Sequence, residues 1–427
     1  MSQTLLLLKS KTGIETIYSM KKRNLRLLLP IVLVVFASSV PAQAQSRPRR
    51  VKPPDTLLGP EPKTPPPTDK NAPLLDVKPA KPVGSAPVST DTTHAYQLLQ
   101  QKQYAAAAAE AKQIAASDPN NSEAWKIAGF SEFYLKQYAA ASDDLQKALD
   151  LQRAVKQEDS HTVDALAESY ILAERFDRAL PLLVIVTTRT GSPPDASFFY
   201  YRGLAEFKTG KTADAEKSFS AAVKANPKDA VSLLYLGQIA LGRNDLDGAI
   251  AMLNRATVND VRLASAWLLL TSAYLRRAGS TNDEAKANAD YLSAVRAGES
   301  LTRARSDEEA LGLLGRALIG AKQYVRAATV LERAAANDNA NGVTLYLLGL
   351  AHSRANNFPK AIAALERALA KSPNDVNVHR ELGYDYEKTK QYAKAFDIYQ
   401  KALQVAPNDP DFKESLERVR PFAKPSD

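Results

Sequence analysis

Three polar side chains in the sequence have the types and spacing of a metal-ligand set. His161, Asp164 and Glu168 follow one another at i, i+3 and i+7, so a helix would place them on one face. An imidazole and two carboxylates can together bind a divalent cation. A solvated polar helix face gives the same pattern, so we keep the three residues as a candidate set only and expect no metal and no cofactor.

The segment 205–212 resembles a phosphate-binding loop. It reads AEFKTGKT, whereas the loop requires G-x-x-x-x-G-K-[ST] after a strand, because backbone donors must surround the phosphates. Ala205 stands where the first glycine is needed, and the surrounding pattern predicts a helix that ends in a turn at Gly210. The chain has no cysteine, which excludes thiolate chemistry. Local spacing suggests no Ser/His/Asp set either, so we predict that the protein is not an enzyme.

The net charge of +9 is concentrated before the part of the sequence that looks folded. Residues 1–44 carry a net charge of +5 and residues 45–90 a net charge of +4, so residues 91–427 are neutral. A nucleic-acid-binding protein carries its positive charge on the folded domain. We therefore expect no nucleic-acid partner.

The N-terminal residues predict an export signal. A basic cluster at 21–23 precedes the apolar run Leu27–Ala37, and the small-x-small triplet AQA at 42–44 predicts cleavage before Gln45. The alternative is a retained membrane anchor, but the apolar run is shorter than the roughly 20 residues that span a bilayer. Translation from Met20 would give a signal of ordinary length. We expect a periplasmic or secreted protein without a stable membrane anchor after cleavage.

Residues 45–90 are predicted to be a disordered, proline-rich linker. Twelve of the 25 prolines lie in these 46 residues. Proline restricts φ and removes a backbone donor, so a helix or a central strand is not expected there.

The residues 342–375 and 376–409 form two segments of 34 residues that align without a gap. Seven pairs of equivalent positions match: Leu348/Leu382, Gly349/Gly383, Phe358/Tyr392, Ala361/Ala395, Leu365/Tyr399, Ala368/Ala402 and Pro373/Pro407. This period and these residue types resemble the tetratricopeptide repeat family. The resemblance covers about 320 of the 427 residues.

The resemblance implies an all-α, right-handed α-solenoid of about nine helix-turn-helix repeats with a C-terminal capping helix. The register extends upstream with extra residues at 156–159, 194–195 and 298–307. We predict repeats one to three in 88–193, four to six in 196–297, an insertion at 298–307, seven to nine in 308–409, and the capping helix and tail in 410–427. Gly349 is expected at the interface of repeats eight and nine.

In this family the first helices of the repeats line a concave surface that holds a peptide or protein partner. The predicted partner-binding residues are the aromatic and basic side chains expected on that surface: Phe130, Phe133, Tyr134, Tyr200, Tyr201, Tyr235, Tyr346, Arg380 and Tyr384. About half of such aromatic residues are expected to be core. The family's carboxylate clamp is not matched, because Phe130 replaces the asparagine that would accompany Lys126.

The leading hypothesis is therefore a non-catalytic, exported scaffold that binds a protein or peptide. The alternative is an assembly or secretion component for exported polysaccharide or cell-envelope machinery, for which the candidate set at 161–168 is the one local sign. The sequence does not indicate an oligomeric state.

Overall fold

The structure, a computed structural model, describes residues 90–190, 195–336 and 339–423. The predicted signal peptide and all but the last residue of the predicted linker lie outside the described residues. Nineteen α-helices account for most of the described chain, which contains no strand. None of these helices is both long enough and apolar enough to span a membrane.

The described residues belong to two compact units that divide between Pro227 and Lys228. The first unit contains α1 Thr93–Gln100, α2 Tyr104–Ser117, α3 Ser122–Tyr134, α4 Tyr138–Ala154, α5 Ser160–Leu172, α6 Phe176–Thr188, α7 Ala196–Lys208 and α8 Thr212–Ala225. The division falls after repeat four. The turn at 226–229 has ordinary length and carries no insertion, so the repeat pattern of the sequence does not mark this division.

The second unit continues the same alternation. It contains α9 Ala230–Gly242, α10 Leu246–Asn259, α11 Ala264–Ser280, α12 Glu284–Ala304, α13 Glu308–Gly320, α14 Tyr324–Ala334, α15 Gly342–Arg354, α16 Phe358–Lys371, α17 Val376–Lys388, α18 Tyr392–Val405 and α19 Pro410–Val419, followed by a 3-10 turn at Arg420–Phe422. In each unit consecutive helices pack against one another, as in a tetratricopeptide-repeat solenoid. The prediction of an all-α repeat fold is confirmed.

The first helices of most repeats begin where an asparagine or aspartate caps them. In each case the side chain accepts a hydrogen bond from a backbone N–H of the first turn, which would otherwise have no partner within the helix. The capping residues are Asn121, Asp159, Asp195, Asp229, Asp307, Asn341 and Asp375.

The two helices of one repeat approach closely at a glycine. A Cβ added to Gly349 would lie 2.5 Å from Cγ of Leu365 and 3.3 Å from the carbonyl oxygen of Ala361. Both neighbours belong to α16, the second helix of the same repeat. The prediction that Gly349 lies at the interface of repeats eight and nine is therefore wrong, because the glycine faces its own hairpin partner.

Repeat six absorbs its extra residues by lengthening both helices. Helix α11 has 17 residues and α12 has 21, whereas α15 and α16 have 13 and 14. The predicted insertion at 298–307 is not a separate segment, because residues up to Ala304 continue α12. Gly298 packs there against α13, with 3.2 Å between an added Cβ and Cδ1 of Leu314.

Candidate functional site

The loop that resembled a phosphate site is a turn between two helices. Ala205 lies inside α7, and Gly210 has φ +80 in the connection between α7 and α8. Glycine adopts this left-handed backbone without the steric cost that a Cβ brings. The segment therefore has the helix-to-turn geometry that the repeat pattern predicts.

The candidate metal set is not assembled. Asp164 accepts two hydrogen bonds from the Arg189 guanidinium, at 2.9 and 3.2 Å, and Glu168 accepts one from the Tyr201 hydroxyl at 2.9 Å. Burial raises the pKa of Glu168 to about 7 against the lowering effect of that hydrogen bond, with a further increase from the charge of Asp195. Among the described residues no group of three or more potential ligands could hold a metal ion. The candidate set of His161, Asp164 and Glu168 is therefore not supported, because long-range partners occupy two of the three side chains.

Several predicted partner-binding residues of the first unit are core. Tyr201 is fully buried, and Phe130 and Tyr200 are buried as well. Tyr201 and Tyr200 pack beside each other with ring centroids 5.6 Å apart. A partner cannot reach Tyr201 in this structure, so its assignment to an accessible binding surface is corrected.

Phe133 and Tyr134 belong to an aromatic cluster at the end of α3. The Tyr134 ring stacks on Tyr104 with centroids 4.7 Å apart, and Phe133 meets Tyr138 edge-on at 5.6 Å. All four side chains are half-buried. The cluster joins repeats one and two.

Two predicted residues of the second unit also have structural roles. Tyr235 is buried, and burial raises its pKa. Arg380 donates a hydrogen bond to Asp409 at 2.6 Å, and its guanidinium lies 4.8 Å from the centroid of the Phe412 ring. Asp409 caps α19, and Phe412 anchors that helix in the core. Arg380 therefore fastens the capping helix, which corrects its assignment as a partner-binding cation.

One aromatic and cationic surface remains, on α15 and α17. It consists of Arg354, Tyr384 and Lys388, and we call it the Tyr384 surface. Tyr384 is 41% exposed, and Lys388 Nζ lies 4.9 Å from the centroid of its ring. Tyr384 is also close enough to Arg354 to affect the pKa of the guanidinium. Tyr346 lies on α15 and is half-buried.

The two cations of the Tyr384 surface differ in whether a carboxylate of the protein already pairs with them. Arg354 donates two parallel hydrogen bonds to Glu381, at 2.8 and 2.9 Å. Burial opposes the charged form of Arg354, but the pair with Glu381 outweighs it and raises the pKa of the guanidinium. Lys388 has no carboxylate within ion-pair distance among the described residues. Arg354 is therefore held in place, while Lys388 is available to an incoming anion.

The repeat register of the sequence also indicates this surface. Arg354 and Lys388 are the last residues of the first helices of repeats eight and nine, 34 positions apart, and therefore equivalent in the repeat. Of this pair, only Lys388 was expected from its residue type to add positive charge that could meet an acidic ligand, and Arg354 was not a candidate.

A buried carboxyl group adjoins the surface. Asp385 is fully buried and accepts a hydrogen bond from Ser353 Oγ at 2.6 Å, which links α17 to α15. Burial raises the pKa of Asp385 to about 7; the Ser353 hydrogen bond lowers it, Glu381 raises it, and Arg354 lowers it. Protonation of this group therefore falls near neutral pH.

Comparison with known proteins supports the assignment of the fold. A family model described as tetratricopeptide repeat matches residues 165–230, 202–266 and 346–410. A search of curated proteins by sequence gave no match. Proteins of this family are generally non-catalytic scaffolds for protein interactions.

Solved structures of repeat proteins resemble parts of the chain. YrrB, "a TPR protein with an unusual peptide-binding site", is 18% identical with a TM-score of 0.40, and the match covers 47% of this chain and 99% of YrrB. MamA, from residue 41 to its end, of Desulfovibrio magneticus RS-1 is 23% identical with a TM-score of 0.37, covering 42% and 97%. A tetratricopeptide repeat protein from Parabacteroides merdae is 12% identical with a TM-score of 0.39, covering 61% and 98%.

These TM-scores are low, so the assignment rests on the family model, the repeat register and the helix hairpins. The residues that the family model matches, 165–266 and 346–410, are tetratricopeptide repeats.

Proposed function

We propose that this scaffold binds an acidic peptide segment of a partner protein on the Tyr384 surface. The observation that carries the proposal is an exposed tyrosine ring beside an ion-paired arginine and a lysine that none of the described carboxylates pairs. Tyrosine contributes contact area at a small entropic cost and keeps a polar tip. A carboxylate of the ligand would meet Lys388, while the peptide chain would lie over Tyr384.

The positions of the charges support an acidic ligand. Glu381 is already engaged by Arg354, so the accessible charge at this point of the surface is that of Lys388. Because the contact is exposed, its electrostatic part is screened by salt. The proposal therefore implies affinity that falls as ionic strength rises, together with a part due to Tyr384 that salt leaves in place.

A selection from a phage-displayed library of random peptides tests the proposal. We expect the selected peptides to be enriched in Asp and Glu, and the double variant Tyr384→Ala/Lys388→Ala to bind them at least tenfold more weakly, about 1.4 kcal/mol. The control is Lys401→Ala, which removes an exposed lysine from α18. Selected peptides without acidic enrichment, or equal affinity in the double variant and the control, would reject the Tyr384 surface as the site.

Tyr200 and Tyr235 are not suitable positions for this test. Substituting Tyr200 and Tyr235 would remove buried side chains and lower stability, so lost binding could not be interpreted. Tyr384 and Lys388 are exposed, and their replacement leaves the core intact.

We further propose that the scaffold acts outside the cytoplasm. The support is the order of basic cluster, apolar run and AQA triplet before Gln45. Expression of the whole chain followed by cell fractionation and N-terminal sequencing should find a mature protein that begins at Gln45. A cytoplasmic protein with an intact N-terminus would contradict this. The polysaccharide-assembly alternative loses its local support, because Asp164 and Glu168 are engaged by Arg189 and Tyr201.

A further inference from the structure

The outer face of α6 is apolar over two turns. Pro181, Val184, Ile185 and Thr188 are all exposed and follow one another at i, i+3, i+4 and i+7, which puts them on one side of the helix. Val184 is 38% exposed and Ile185 41% exposed. We call these four residues the α6 stripe.

The other repeats provide an internal reference for this face. Leu183 fixes the register, because its equivalents in the other second helices of ordinary length are all buried: Ala111, Leu145, Phe219, Leu253, Leu331, Leu365 and Tyr399. The two positions that follow are mainly polar in those helices, whereas repeat three has Val184 and Ile185. The equivalent pairs are Lys112-Gln113, Gln146-Lys147, Ser220-Ala221, Asn254-Arg255, Glu332-Arg333, Glu366-Arg367 and Gln400-Lys401.

The comparison shows that the hairpin forms without two apolar residues at these positions, so the fold does not require the stripe. Seven repeats form the same hairpin with at least one polar residue at these two positions, and in six of them both residues are polar. Two adjacent β-branched apolar residues on a solvent-facing helix surface favour contact with another molecule. Packing within the repeat does not explain them, because Leu182, Leu183 and Val186 already form the buried face of α6.

We propose that the α6 stripe of one chain packs against the α6 stripe of a second copy, antiparallel across a two-fold axis. The spacing of the stripe is symmetric about its centre, so a reversed copy places Pro181 opposite Thr188 and Val184 opposite Ile185. The stripe itself has no charge, and a two-fold contact joins the same patch on both chains.

The ends of the helix favour the antiparallel direction. Asp177 and Arg178 are both exposed in the first turn of α6, and Arg189 directly follows the last turn. Asp177 lies on the side of the stripe, four residues before Pro181, whereas Arg178 lies on its flank. An antiparallel pair brings each Asp177 toward the end of the partner copy that carries the arginine, whereas a parallel pair would bring like charges together. Arg189 also keeps its bonds to Asp164 of its own chain, which holds it at that end.

The size of the stripe indicates a weak, reversible dimer. Four side chains over two turns bury far less than the roughly 1,200 Å² of a stable interface. We therefore expect association at micromolar or higher concentration with rapid exchange. The contact lies on repeat three, whereas the Tyr384 surface lies on repeats eight and nine, so dimer formation and peptide binding can be tested separately.

The absence of cysteine makes cross-linking a direct test. In Ile185→Cys the thiol would lie close to the two-fold axis and meet its own copy, so mild oxidation should give a covalent dimer. The matched control is Gln113→Cys, which occupies the equivalent exposed position of repeat one. Because a bound complex raises the effective thiol concentration, we expect cross-linking at least about tenfold faster for Ile185→Cys.

Sedimentation of the full chain gives the second measurement. Val184→Gln/Ile185→Lys introduces the Gln-Lys pair that repeats two and nine carry, so the helix should fold normally. The unmodified chain should show a mass that rises with concentration, and this variant should remain monomeric. Equal cross-linking rates for the two cysteine variants would overturn the proposal. Equal sedimentation of the unmodified chain and the Gln-Lys variant would also overturn the proposal, even if another molecule covers the stripe.

Discussion

Replacing Asp385 by asparagine should remove a pH-dependent loss of stability between α15 and α17. Asp385 is fully buried, and its Oδ2 atom has no hydrogen-bond partner among the described residues. The asparagine side chain would have nearly the same shape as the aspartate and could still accept the hydrogen bond from Ser353. The substitution therefore removes the titration while it retains the contact.

The pKa of Asp385 sets the sign and the size of the effect. The carboxyl titrates at about 7 in the folded protein, against an ordinary value of 3.8. A raised pKa means that the protonated form stabilises the fold fully below about pH 4, that this contribution falls as the pH rises to 7, and that it is absent above. A difference of about three units corresponds to about 4 kcal/mol, which is the upper limit for this group.

Hydrogen exchange measured by mass spectrometry at pH 5 and pH 8 is the suitable assay, because repeat arrays open locally as well as globally. After correction for the intrinsic pH dependence of exchange, the amides of α15 and α17 should lose protection at pH 8 in the unmodified chain. Asp385→Asn should lose little.

The control is Asp397→Asn, which changes an exposed carboxylate on α18. If Asp385→Asn and the unmodified chain lose protection equally between the two pH values, the buried carboxyl is not the cause and the reasoning fails.

Three further outcomes are expected. Gly349→Leu should lower the stability of repeat eight by about 1–3 kcal/mol in thermal melts, because its side chain would collide with Leu365; unchanged melting would refute this close approach. Glu168→Gln should be more stable relative to the unmodified chain at pH 8 than at pH 5, since burial raises the pKa of Glu168 to about 7; urea unfolding that shows the same difference at both pH values would contradict it. Arg380→Ala should release α19 by removing the bond to Asp409, so proteolysis near the C-terminus should be faster, and an unaltered cleavage rate would show that the core contacts of the helix suffice.

Most of the fold could be read from the 34-residue period. Gly342 and Val376 are both the first residues of helices, as the aligned repeats imply, and Phe358 and Tyr392 begin the second helices. The extra residues of repeat six could not be placed in this way. A longer helix pair and a loop insertion have the same length in sequence, and packing against α13 decides between them.

The candidate site was only partly predictable. Tyr384 was expected on an accessible surface and is exposed there, but Tyr201 has the same residue type and is fully buried. The helical period assigns a residue to a face of its helix. How deeply that face is covered depends on helices of neighbouring repeats, and for Tyr201 the partner is Glu168, 33 residues away.

The sequence by itself therefore determined the helix hairpins, their order and the resemblance to tetratricopeptide repeats, because these follow from helix geometry and from local signals such as caps and close-packed glycines. The tertiary structure decided which polar groups are available. Arg354 is bound to Glu381, Arg380 to Asp409 and Asp164 to Arg189, each across 25 to 29 residues. Such pairs form only when neighbouring repeats stack, so the availability of Lys388 could be recognised only after the partners of the other described charged residues were known.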